Sequence, residues 1–204
     1  MGTKMKKIIC LLLVLTCAFA LFSCGNEEIK AHIELVNASN PTNITTHTSY
    51  VSAEETLSGR FVTVIEGDVC TMTYAYERLA DPVLDGGTER IKEVEGTVFY
   101  KDGKYSEDGE NWSAASPDKN LVNIVFDLSV ENLGNCKLSS DKKTLSATLN
   151  AEQAQNVLGL ELPASEEGIS LTVTHNGTYL TYVVISYVST SGANVMIETS
   201  YAYN

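Results

Sequence analysis

Ile169-Ser170-Leu171-Thr172-Val173-Thr174-His175-Asn176-Gly177-Thr178-Tyr179-Leu180-Thr181-Tyr182-Val183-Val184-Ile185-Ser186-Tyr187-Val188 is the stretch that decides the fold class. Its first part alternates Ile169, Leu171 and Val173 with Ser170, Thr172 and Thr174, the period of a strand with one face in a core. Asn176-Gly177 then predicts a type I′ hairpin turn, where two successive residues must tolerate positive φ. The returning strand is apolar on both faces: Tyr179, Val183, Ile185 and Tyr187 on one, Leu180, Tyr182, Val184 and Val188 on the other. Such a strand asks for cover above and below. A last strand, Asn194 to Tyr203, places Val195, Ile197, Tyr201 and Tyr203 on one face and Met196 and Ala202 on the other.

The same alternation recurs upstream. Thr42 to Val51, Leu57 to Ile65, Val69 to Leu79 and Ile91 to Lys101 read as strands, with Glu66-Gly67-Asp68 as a turn and Pro82 to Gly87 as a loop. Asp102-Gly103 and Asp108-Gly109 predict two tight turns in the zigzag to Trp112. Ser116-Pro117-Asp118 combines an N-cap, a proline at the first helical position and a first-turn acid. With Leu121, Ile124, Val125 and Leu128 at helical spacing, it predicts a helix running to about Leu133. A hairpin with Asp141 near its tip joins Asn135–Ser139 to Thr144–Leu149; a capping box at Asn150 and Gln153 opens a short helix to about Leu158, and Gly159 ends it. Ile29, Ile33 and Val36 share one face of a further helix near the start, with Glu27 and Glu28 in its first turn. The expected class is α+β: a curved, mostly antiparallel sheet, a half-barrel, with two or three helices covering its concave face.

The N-terminus carries a different signal. Lys4, Lys6 and Lys7 precede an apolar run from Ile8 to Phe22, which at 15 residues falls short of the roughly 20 that cross a bilayer. The run ends at Leu21-Phe22-Ser23-Cys24, which resembles the lipobox of bacterial lipoproteins, with Phe22 bulkier than the usual occupant. That resemblance implies three parts: a signal peptide (1–23), a lipid-bearing Cys24 with a short tether (24–28), and one domain (29–204). It also implies attachment to the extracytoplasmic face of a membrane. Two or more acyl chains, at about 0.8 kcal/mol per buried methylene, hold stably where one chain does not.

Charge narrows the partners. The chain carries a formal net charge of −12; the signal takes three lysines and no acid with it, leaving −15 on the mature body. This disfavours nucleic acid, and none is expected as a partner, because a phosphate-binding surface needs clustered Lys and Arg. Beyond the anchor, Cys70 and Cys136 form an even pair in a compartment where disulfides form. Two readings stay open for them, a bridge or two small buried hydrophobes.

The order of elements is similar to that of the lipoprotein-localisation carriers, the LolA-like half-barrel, and more narrowly to lipid-binding lipoproteins of the LppX and LprG type. The residues that carry the likeness are the helix after Cys24, the run Val98-Phe99-Tyr100-Lys101-Asp102-Gly103-Lys104-Tyr105 with its continuation to Trp112, and the hairpin from Ile169 to Tyr203. The resemblance implies an apolar cavity between half-barrel and helices that holds a lipid or other hydrophobic ligand. Tyr74, Tyr76, Tyr182, Tyr201 and Tyr203 are the residues expected to line it, ring faces toward the ligand and hydroxyls fixing a headgroup. An ordinary packed core uses the same residue types.

Signs of catalysis are missing. His32, His47 and His175 stand in separate segments, none in a zinc spacing, and no nucleophile elbow, phosphate loop or dinucleotide fingerprint occurs. Ser106-Glu107-Asp108-Gly109-Glu110-Asn111-Trp112 resembles the Asp-box hairpin of propeller glycosidases, but it is one residue short and occurs once where a propeller repeats it. No enzyme, cofactor or metal is therefore expected. The remaining functions are a membrane-anchored carrier of a hydrophobic ligand and a surface module that binds an envelope protein or cell-wall polymer.

Overall fold

The computed structural model describes residues 27–80, 90–114, 128–159 and 162–204. The signal, Cys24, the loop at Pro82 to Gly87 and most of the helix expected from Ser116 lie outside them.

Among the described residues, eleven strands form one antiparallel sheet built from two meanders. The first comprises β1 (Asn43–Val51), β2 (Thr56–Glu66), β3 (Val69–Leu79), β4 (Arg90–Lys101), β5 (Lys104–Ser106) and β6 (Ser113–Ala114). The second comprises β7 (Cys136–Leu138), β8 (Thr144–Leu149), β9 (Ala164–His175), β10 (Leu180–Ser189) and β11 (Asn194–Ala202). Pairing of β1 with β11, from Asn43↔Ala202 to Val51↔Asn194, joins the two, so the seam lies between the first strand and the last. The sheet stays open, ending in β6 and β7, and edges of two and three residues offer a stray strand little to pair with. Among the described residues three helices accompany it: α1 (27–37), α2 (Val130–Leu133) and α3 (Ala151–Leu158). The α+β class with an antiparallel sheet is as expected.

Residues directly opposite in an antiparallel pair share a face, so the register traces each face across the sheet. One row runs Val183↔Thr199, Ile185↔Ile197 and Tyr187↔Val195 outward from β10 to β11, and Val183↔Val173 and Ile185↔Leu171 back to β9. Leu145 and Ala147 of β8 continue it. On that face Ile33 and Val36 of α1 and Ala154, Val157 and Leu158 of α3 complete a buried cluster with Leu171, Val183 and Ile185. The other face carries Ser170, Thr172, Ser186, Glu198 and Ser200, the polar half of the alternation.

Local chemistry formed several elements as expected. The Asn150 carboxamide accepts from the Gln153 amide at 2.8 Å and the Gln153 side chain accepts from the Asn150 amide at 3.0 Å, the reciprocal cap read from the sequence. Gly159 takes the left-handed conformation that stops α3. Asp102 and Gly103, both at positive φ, make the two-residue hairpin between β4 and β5.

Three expectations are corrected. The Asn176-Gly177 turn is not type I′: only Gly177 has positive φ, and the loop runs from 176 to 179 with Asn176 Oδ1 accepting from the amides of Thr178 and Tyr179. Asparagine's own side chain bends the chain here, an alternative to a left-handed asparagine backbone. A register shift between Leu180 and Tyr182 then turns Leu180 onto the face of Val183, where it is buried. The far side of β10 keeps Tyr182, 36% exposed, so that strand is not buried on both faces. Finally, no single helix runs through to Leu133: Ser129 is extended and caps the short α2 by accepting from the Asn132 amide at 3.1 Å.

Cys70 and Cys136 are free thiols. They stand on β3 and β7, with six strands between them in the sheet, so the bridge reading gives way to two partly buried hydrophobes.

Candidate functional site

The apolar face does not stop where the described helices do. Across β1 it passes from Tyr201, Thr199 and Ile197 to Ile44, Thr46 and Thr48, and from there to Thr63, Phe61 and Gly59 on β2. It then reaches Met72, Tyr74 and Tyr76 on β3, which face Val98, Gly96 and Val94 on β4. Met72 and Val98 are buried, while Tyr76 and Val94, direct neighbours, are 37% and 53% exposed. None of these β2–β4 residues belongs to the cluster around α1 and α3.

Two glycines shape this half. Gly96 lies opposite Tyr74, and a Cβ there would come within 2.6 Å of the tyrosine oxygen; Gly59 lies opposite Tyr76, and a Cβ there would come within 2.5 Å of Thr48 and 3.1 Å of the Phe61 ring. Each glycine leaves room for a ring to lie across the neighbouring strand, an aromatic-over-glycine pairing that also fills the gap left by the missing side chain. Phe61 and Tyr76 meet edge to face at 5.4 Å, and Tyr74 and Tyr76 at 6.1 Å, giving a continuous aromatic surface. Burial, and secondarily Tyr74, pushes the Tyr76 phenol up, so it presents a neutral hydroxyl.

The five tyrosines expected to converge do not all meet. Tyr74 and Tyr76 stand together. Tyr201 shares their face three strands away on β11, packed against the core, with its phenol pushed up by burial. Tyr203 follows β11, donates to the Leu180 carbonyl at 2.7 Å and stacks on Tyr179 at 4.5 Å. Tyr182 is on the opposite face, where its hydroxyl donates to Glu198, and that bond keeps its proton on.

That opposite face carries a groove the sequence did not reveal. It encloses about 660 Å³ and is lined by His47, Arg60, Glu77, Arg90, Lys92, Glu95 and Glu198 over a floor that includes Gly59 and Ala75. Register aligns a row of side chains: Glu95↔Ala75, Ala75↔Arg60, Arg60↔His47 and His47↔Glu198. Arg90 bonds Ser58 at 2.7 Å and lies 3.6 Å from Glu77, and Lys92 pairs with Glu95. No sequence spacing foretells this row, because its members come from separate strands.

The acidic hairpin after β5 is held by Asp108. One of its oxygens accepts from the Ser106 hydroxyl and the amides of Glu110 and Asn111 at 2.8 to 2.9 Å, and the other from the Asn111 side chain at 2.6 Å. These donors, Asn111's amide foremost, hold its carboxyl far below the usual carboxylate range. A lowered folded-state value means the contribution is present above about pH 4 and fades only as pH falls toward the lowered value. The amides of Glu110 and Asn111 are therefore expected to keep their chemical shifts as the solution is acidified through that ordinary range. Asp108→Ala should abolish their protection from exchange at neutral pH; retained protection would show that the loop holds itself without the carboxylate.

Among the described residues, no group of three or more His, Cys, Asp and Glu is arranged to hold a metal. No described helix is long and apolar enough to cross a membrane.

No family model matches the chain. No curated protein matches it either. Among solved structures, an uncharacterized conserved protein from Thermus thermophilus is similar at 12% identity, over 86% of this chain and 88% of that one, with a TM-score of 0.34.

Proposed function

We propose that this protein is a membrane-anchored lipoprotein, tethered through Cys24, that holds a lipid or other hydrophobic ligand against the apolar face of β2–β4, as LolA-like half-barrels do. In this reading the sheet curves and its helices close over the concave side, with the ligand between them. One observation carries it: the face that α1 and α3 pack over β8–β10 continues onto β2–β4 as a surface of Phe61, Tyr74, Tyr76 and Val94, with Tyr76 and Val94 still substantially exposed. Apolar area left in water costs about 25 cal/mol per Å², so a chain gains by covering such a surface. An acyl chain is suited to it, since tyrosine ring faces are apolar and hydroxyls at their edge meet a polar head.

Native mass spectrometry of the membrane-extracted protein tests this. A co-purifying lipid is expected, together with displacement of a fluorescent fatty-acid analogue by oleate. Val94→Asp puts a charge on the exposed part of the surface without touching the α1–α3 core, and should weaken that binding at least tenfold. Full binding by Val94→Asp, or no bound lipid at all, would sink the proposal.

The polar groove favours a second reading, a surface module without enzymatic activity whose Arg60–His47–Glu198 row binds an envelope protein or cell-wall polymer. Loss of a pulled-down partner on Arg60→Ala, with lipid binding intact, would select it.

A further inference from the structure

His32 lies on the buried side of α1, only 2% exposed, and neither ring nitrogen makes a hydrogen bond. A buried imidazole without partners costs stability, and it tolerates the neutral ring far better than the cation. Against it, with ring centroids 4.5 Å apart and planes tilted by 54°, stands His175, the last residue of β9. The Nδ1 of His175 accepts from the Gly177 amide at 2.9 Å, which fixes that ring as a neutral tautomer with its proton on Nε2. This contact between imidazoles thus lies in the seam between α1 and the sheet.

We propose that the His32–His175 contact is a latch that keeps α1 on the sheet while both rings are neutral and releases it when they take up protons.

The charged groups around the seam do little to oppose this. On α1, Glu28 is engaged with Lys142 at 2.6 Å. From the turn between β7 and β8, Asp141 favours a charged His175 and Lys143 opposes it. The Lys142 carbonyl favours a proton on either ring and the Val173 carbonyl one on His32, but the first acceptor is shared between two would-be cations and burial outweighs both. Among the described residues, no carboxylate favours a charged His32. Burial first, and the neighbouring imidazole second, therefore hold His32 below the usual histidine range; burial does the same for His175. With the released helix titrating near pH 6.5, the released state binds more protons than the docked one below that value. Docking is accordingly strongest above about pH 6.5 and weakens as pH falls.

Besides the latch and the Glu28–Lys142 pair, a few contacts hold α1, among them Ile29 against the core cluster. Ser39 accepts from the Leu180 amide at 2.9 Å, Asn37 bonds the backbone of Leu128 in both directions, and Ile33 and Val36 are buried. If α1 follows a lipidated Cys24, as the proposed function has it, its release would lengthen the tether by up to about 35 Å of extended chain and expose the apolar face beneath it.

Hydrogen exchange of the full chain, corrected for intrinsic rates, reads the latch without reference to any lipid. Protection of residues 27–37 should fall at least tenfold between pH 7.5 and 5.5 while β10 stays protected. His32→Phe, which keeps a ring against His175 but cannot be protonated, should remove that fall. Should His32→Phe fail to fold, His175→Gln at the partly exposed position serves, and should shrink it. Equal α1 protection at both pH values, a fall shared equally by β10, or a fall unchanged by either substitution would each overturn the latch.

Discussion

Ile185→Ala is expected to cost about 2–5 kcal/mol. Ile185 is fully buried, has Leu171 on one side and Ile197 on the other in register, and belongs to the cluster with α1 and α3. Removing its side-chain branches deletes contacts to two strands and the helical layer at once, and a close-packed site recovers little by collapse. Against a typical total of about 5–15 kcal/mol, this approaches the limit of what the domain can lose. Urea unfolding checks it: the midpoint should drop with an unchanged slope. Met196→Ala, one residue from Ile197 but on the polar face and 40% exposed, should stay within about 0.5 kcal/mol. Equal losses at both positions would mean that the two faces of the sheet have been misassigned.

Cys24→Ser should move the protein wholly from the membrane to the soluble envelope fraction. The anchor is proposed to be two or more acyl chains on that sulfur and the freed amine, each methylene worth about 0.8 kcal/mol. On that reading the body left once residues 1–23 depart carries −15 and is repelled from anionic headgroups, so the acyl chains do the holding. Fractionation after metabolic labelling with a palmitate analogue gives the answer. A Cys24→Ser protein that stays with the membrane and keeps the label would dispose of the lipoprotein reading, while leaving the aromatic face and the imidazole latch to be judged separately.

Strands, α3 with both its caps, and the Asp102-Gly103 hairpin could be read from the chain, because each is decided within a few residues by alternation, capping and turn chemistry. Elsewhere tertiary neighbours decide the outcome. At Asn176 the side chain, not the backbone, made the turn, and the register shift beyond it moved Leu180 to the other face, so parity counted from the sequence failed for β10. Tyr74 and Tyr76 stand together because they lie two apart on one strand, whereas Tyr182 sits on the other face, which the sequence does not show. The Arg60–His47–Glu198 row and the His32–His175 contact could not be found this way, since their members lie 13 to 151 residues apart and meet only through register and helix docking.

By itself, then, the sequence determined the kind of most of the described elements and the existence of one apolar face, because those follow from periods of two and 3.6 and from local hydrogen bonding. The pairing of β1 with β11, the placing of α1 and α3 on only part of that face, and the meeting of two histidines under α1 were decided by tertiary structure. Alternation says which side of a strand avoids water; it cannot say which distant strand or helix will do the covering.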